Sequence, residues 1–243
     1  GNCTIRIDAK LIDALVGGWY NSKVPDTASM CDRIVQNALE EGSKVNLSTF
    51  NMVINAWCRE KSIASVDRAE TLLRQMQELV DKKNNPDLKP TIFTYAPIIF
   101  GYANPGRPAR AEALLREFFE RYPANGRGYT HSSRKSRLDT RVFNGVLKSW
   151  KAKAAKDVEA VERSENLLLD MPRFEVHPDI TSFDLVLQCK ERQKKSSLGK
   201  QATLSRSHEI ILLLDTVYKE GNLGCTLEQY LTQRQAFVLF NPQ

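Results

Sequence analysis

Two stretches far apart in the chain, FNMVINAW at 50–57 and FNGVLKSW at 143–150, carry the same pattern. In the first, Phe50, Val53, Ile54, Trp57 and Cys58 recur at i, i+3, i+4, i+7 and i+8, the spacing of one helix face. The run RAETLLRQM follows, with Ala69, Leu72, Leu73 and Met76 on a second such face. Two apolar stripes in succession predict a helical hairpin whose inner faces meet. The pair recurs as Tyr95, Ile98, Ile99, Tyr102 with Ala111, Leu114, Leu115, Phe118, and as Phe143, Val146, Leu147, Trp150 with Ser164, Leu167, Leu168, Met171. A fourth copy sets Phe183, Val186 and Leu187 against Ser207, Ile210, Ile211 and Leu214. A weaker copy opens the chain, where AKLIDALV at 9–16 aligns with NMVINAWC and CDRIVQNA at 31–38 with AETLLRQM.

The residues that head the first helices are then Ala9, Asn51, Ala96, Asn144 and Asp184, spaced by 42, 45, 48 and 40 residues by subtraction. A period of this size predicts stacked helix pairs, because one hairpin alone cannot bury its stripe. Apolar–polar alternation persists nowhere, which disfavours strands. Punctuation agrees: Pro97 is expected in the first turn of its helix with Thr94 as cap, and Lys89-Pro90 and His177-Pro178 end units. Asn104-Pro105-Gly106 predicts a tight turn inside a hairpin. Residues 123–137 read as a long exposed insertion, 192–206 as a basic turn, and 226–240 as a closing helix.

Composition sets outer bounds. Hydrophobic residues make up 42% and charged residues 26%, values of a soluble globular chain. A net charge of +6 permits a polyanionic partner. The longest apolar run, IILLL at 210–214, is far shorter than a membrane span, and no membrane partner or secretory segment is expected. The chain opens GNCTIR without a methionine, as either a processed product or a piece of a longer chain would. Five scattered cysteines predict reduced thiols of a cytosol-like compartment, and the three histidines have no metal-ligand spacing. No nucleophile triad, H-E-x-x-H or phosphate loop is present, and Asp and Glu are spread over helix faces. The expectation is a protein without catalysis, cofactor, metal or small-molecule substrate.

The order aromatic–Asn, I-x-A-W or L-x-S-W, A-E-x-L-L-x-x-M, then K-P or H-P-D resembles the pentatricopeptide repeat. KPTIFTYAPII, LDTRVFNGVL and HPDITSFDLVL are close to that family's unit boundary. The likeness covers residues 46–215 well and 5–45 weakly, with units lengthened in their turns. It implies an all-α, right-handed α-solenoid as a single domain over 1–243. The units would be 5–45, 46–90, 91–138, 139–178 and 179–221, with 222–243 as a C-terminal cap.

The resemblance also implies how RNA would be read. In that family one unit meets one base through the head residue and the residue five before the next head. Carried over, Asn144 pairs with Asp179, a combination like the family's uracil-preferring pair. Asn51 pairs with Thr91, Ala96 with Asp139 and Ala9 with Asn46, and Asp184 has no clear partner. On the same helix faces Arg59, Lys148 and Lys151 are phosphate candidates, joined by Arg127, Arg134, Lys135 and Arg137 of the insertion. Lys194 and Lys195 of the basic run, beside Arg192, are further candidates. Trp57 and Trp150 are expected in the core between units. The implied partner is single-stranded or structured RNA, and the irregular units and basic insertions suggest other proteins of a ribonucleoprotein such as an organellar ribosome. The implied setting is the mitochondrion, with the plastid as alternative. The rival reading is a protein-binding scaffold using the same concave face.

Overall fold

A computed structural model describes residues 8–22, 24–83, 85–104, 106–122 and 133–194. Every regular element among them is helical. The chain divides into two compact units, Gly1–Pro105 and Gly106–Gln243. The first holds α1 (Ala9–Ser22), α2 (Thr27–Glu40), α3 (Leu47–Arg59), α4 (Ile63–Lys83) and α5 (Ile92–Ala103). The second holds α6 (Pro108–Arg121), α7 (Ser133–Lys153), α8 (Ala160–Asp170) and α9 (Ile180–Lys194). Within the first unit α1 packs on α2 and α3 on α4, as hairpins, while α1, α3 and α5 lie side by side. In the second, α7 pairs with α8, and α7 and α9 lie side by side.

Local chemistry fixes where the first helices begin. Asn46 caps α3, its Oδ1 accepting from the Thr49 N–H at 2.8 Å. Thr91 and Thr94 form a capping box on α5, the Thr91 N–H donating to Thr94 Oγ1 at 3.1 Å. Ahead of α9, Asp179 Oδ1 accepts from the Ser182 N–H at 2.9 Å and the Asp179 N–H donates to Ser182 Oγ at 3.1 Å. Each such cap stabilises its helix by about 1 kcal/mol. Asp139 and Val142 hold these two places in α7. Valine has no hydroxyl to close the cap, and α7 runs back to Ser133.

These caps correct four expectations. Thr91, not Thr94, is the cap of α5, and Thr94 is its third helical residue. Pro97 is the sixth residue of α5 rather than a first-turn residue, so the Phe93 carbonyl lacks the usual donor four residues on. Residues 133–137 are helical, so the irregular insertion expected over 123–137 does not extend through them, and 123–132 lie outside the described residues. The fourth correction concerns register. Asn51, Ala96 and Asp184 each lie five residues after their cap, one turn inside the helix. Helix α1 starts at Ala9, with the Asp8 carbonyl accepting from the Leu11 and Ile12 N–H groups at 2.9 and 3.1 Å. Its head residue is therefore Asp13, not Ala9, and DALVGGWY aligns with NMVINAWC and NGVLKSWK. The first spacing becomes 38 residues, from 13 to 51 by subtraction.

The apolar stripes form the cores. Phe50, Val53, Ile54, Ala69, Leu72, Leu73, Met76, Tyr95, Ile98 and Ile99 are fully enclosed in the first unit. Val146, Leu147, Leu167, Leu168, Met171 and an aromatic cluster of Phe119, Phe143 and Phe174 fill the second, with the Phe143 centroid 5.1 Å from Phe119 and 6.2 Å from Phe174. The stripe Ser207–Leu214, the segment beyond 194 and the closing helix lie outside the described residues. Close packing of α5 on α4 has one sharp consequence. A Cβ at Gly101 would lie 2.8 and 3.0 Å from the two methyls of the enclosed Val66. Gly101→Ala is expected to lower stability in urea by about 1–2 kcal/mol, against the usual helix gain. Gly18→Ala in α1, with no atom within 4 Å, is expected to raise it by about 0.5 kcal/mol.

Four buried carboxylates join second helices to the first helix that follows. Asp32 of α2 accepts from the Trp57 indole N–H at 3.0 Å, and Glu70 of α4 from the Tyr102 hydroxyl at 2.8 Å. Glu112 of α6 accepts from the Trp150 indole at 2.9 Å, and Glu165 of α8 pairs with the Lys190 ammonium at 2.7 Å. Each donor stands six residues after its head residue. Each acid follows the small residue that opens its stripe: Cys31, Ala69, Ala111 or Ser164. These acids are not simply spread over solvated faces. They are 2–7% exposed, and a directional bond in a dry interface fixes how one pair meets the next. Arg68 clamps Asp32 at 2.6 and 3.0 Å, and Arg116 bridges Glu112 to Asp170 at 2.9 and 2.6 Å. Trp57 and Trp150 are thus interface residues with a polar handle.

Candidate nucleic-acid interface

The caps and head residues meet between adjacent first helices. Asn144 Nδ2 donates to Asp179 Oδ1 at 3.0 Å, and the Ser182 hydroxyl donates to Asn144 Oδ1 at 2.7 Å. The same hydroxyl lies 3.0 Å from Asp179 Oδ1. The family resemblance pairs Asp179 with Asn144, and the fold brings the two into direct contact. Ser182 was not anticipated; its signal was the hydroxyl three residues after a cap, repeated as Thr49 and Thr94.

The first unit builds the same cluster with exchanged side chains. Thr49 Oγ1 is 2.8 Å from both Asp13 Oδ1 and Asn46 Oδ1. Asn46 therefore answers Asp13 rather than Ala9. Around Asn51 the arrangement is incomplete. Its Oδ1 is enclosed and meets no donor among the described residues, and its backbone carbonyl accepts from Asn55 Nδ2 at 2.8 Å. Thr91 and Thr94 are engaged with each other in their capping box. Asp139 is buried within α7, which removes it from the surface that a base could reach. Asp184 is half-buried one turn into α9.

Cations line the same helices toward their C-termini. Lys148 is exposed, and Lys151 Nζ donates to Gln188 Oε1 at 3.0 Å. Asn144 meets Ser182 and, seven residues on, Lys151 meets Gln188, so α7 and α9 run parallel. The amide cluster and the ammonium lie about 10 Å apart along the axis. Partial burial, and then the nearby Arg192 and Lys148 charges, pull the Lys151 pKa below the usual lysine value. The cluster therefore gathers positive charge at one place. In the first unit the Arg59 guanidinium stacks 4.1 Å from the Tyr20 ring centroid. Arg59 also borders a groove of about 430 Å³ between α3 and α5, with Asn55, Cys58, Lys61, Phe100 and Asn104. Burial pushes the Cys58 thiol up to about 12, which keeps it protonated and unreactive in that groove at neutral pH. Arg134, Lys135 and Arg137 fall in the first two turns of α7, and Lys194 ends α9. Arg127 and Lys195 lie outside the described residues.

The arrangement can present amide and carboxylate edges to a planar polar group and ammonium or guanidinium groups to an anion. Among the described residues no helix is long and apolar enough to cross a membrane. No family model matches the chain. It is similar to a pentatricopeptide repeat-containing protein of Arabidopsis thaliana, 27% identical over 160 residues. The match covers 64% of this chain and 23% of the relative, so the chain spans less than a quarter of that protein's length.

Proposed function

We propose that this is an RNA-binding protein of pentatricopeptide type, gripping a single strand along the first helices of each unit. The observation that carries the reading is the Asn144–Asp179–Ser182 cluster and its counterpart at Asp13, Asn46 and Thr49. Two places with the same backbone geometry display a carboxamide beside a carboxylate. Asn144 keeps one amide hydrogen and one lone pair free, and Asp179 is exposed with its second oxygen available. A uracil offers N3–H to a carboxylate and a carbonyl oxygen to the amide, so the pair suits uracil. Lys148, Lys151 and Arg192 would neutralise the phosphates that follow, and Arg59 and Lys61 would do so in the first unit.

The helix pairs are read as units of a right-handed solenoid of about five. Its role would be that of a non-catalytic part of a mitochondrial, or alternatively plastid, ribonucleoprotein acting in RNA processing or translation. The test is Asn144→Ala. It is expected to weaken binding of a uridine-rich strand by about 1–2 kcal/mol, or 5- to 30-fold, and to leave an adenosine-rich strand nearly unaffected. Equal Kd values for native and variant chains on both strands would make Asn144 a purely structural residue.

A further inference from the structure

Leu11, Leu15 and Trp19 form an i, i+4, i+8 stripe on α1. In the register set by Asp13 they stand two before, two after and six after the head residue. The same three places are closed in the other first helices. Two before the head are Thr49, Thr94, Val142 and Ser182, all at 0% exposure. Two after it are Val53, Ile98, Val146 and Val186, at 0–1%. Six after it are Trp57, Tyr102, Trp150 and Lys190, each bonded to a carboxylate of the preceding second helix. In α1, by contrast, Leu11 is 50% and Leu15 44% exposed. Trp19 is half-buried, and its indole N–H meets no acceptor among the described residues.

We propose that this face of α1 docks the second helix of a further helix pair of the same repeat type, with a carboxylate on that helix accepting the Trp19 indole N–H. The occupant is defined by an interface that the molecule already builds four times. It is an amphipathic helix in which a small residue and an acid precede a leucine stripe. The acid meets Trp19, and the leucines cover Leu11 and Leu15. A polar partner would leave two leucines wet, and an apolar helix without an acid would bury the indole N–H unpaired. The inference rests on repeat geometry and is independent of RNA binding.

A copy of residues 46–90 placed directly ahead of Asp8 in the full chain tests it. Pro90 is natively followed by the cap Thr91, the equivalent of Asp8. The join therefore keeps register and sets the copied Glu70 opposite Trp19. Amide exchange in α1 is expected to slow at least tenfold, on the order of the protection that interior helices gain from packing. Leu15→Arg in the extended chain is expected to abolish that gain. Unchanged α1 exchange, or a gain that survives Leu15→Arg, would overturn the proposal. So would sedimentation showing that the unextended chain is a dimer that Leu15→Arg dissociates, because the occupant would then be a second copy.

Discussion

Glu165→Ala is expected to destabilise the second unit by about 3–5 kcal/mol. The Glu165 and Lys190 side chains are only 3% and 8% exposed, and their 2.7 Å contact joins α8 to α9. Removing the carboxylate takes the 2.7 Å counter-charge away from an ammonium that stays buried. The other three latches set a neutral donor against a carboxylate, and the arginines that pair with those acids are 27–39% exposed, whereas at Glu165–Lys190 both charged partners are buried. That difference has a second consequence. Glu165→Met combined with Lys190→Leu is expected to come within about 1 kcal/mol of the native stability, because both desolvation costs vanish together. Amide exchange in α8 and α9 measures both. A single variant as stable as the native chain would mean that the pair is not buried.

Phe143→Ala is expected to cost a similar 3–5 kcal/mol. Its ring is fully enclosed and packs against both Phe119 of α6 and Phe174, which follows α8, the latter two rings touching each other with centroids 5.4 Å apart. Truncation opens a cavity that these two rings cannot close without leaving their own neighbours. Phe143 also precedes Asn144 on α7, so the cavity loosens the helix that carries the amide. Phe143→Leu, which keeps most of the volume, is expected to cost no more than about 1.5 kcal/mol. It should leave the proposed uridine preference intact, whereas the alanine variant should lose that preference along with stability. Thermal unfolding and strand binding on the same preparations separate the two effects.

The helix pairs were legible because 3.6-residue periodicity is a direct image of one buried face, as at Phe50, Val53 and Ile54. The register of α1 was not. AKLIDALV and DALVGGWY both satisfy the stripe, since a slip of four residues is about one turn and returns nearly the same face. Only the cap at Asp8 and the Thr49–Asp13 bond distinguish them. The carboxylate latches were hidden for another reason. An acid beside an apolar stripe looks solvated until the donor on the next helix is known, and that donor lies 25 residues on for Asp32 and 38 for Glu112. The Asn144–Asp179 pairing came from family resemblance, while the serine that locks it came from the fold.

The proposed RNA binding engages phosphates as well as bases along the first helices of each unit. The most direct measurement is the Kd for a uridine-rich single strand across a series of salt concentrations, for the native chain and for Lys148→Ala with Lys151→Ala. The native chain is expected to show log affinity falling linearly with log salt. The double variant should bind more weakly, with a slope shallower by about one for each phosphate that is no longer neutralised. An affinity that does not change with salt, or one that both chains share at every salt concentration, would contradict phosphate binding by these helices.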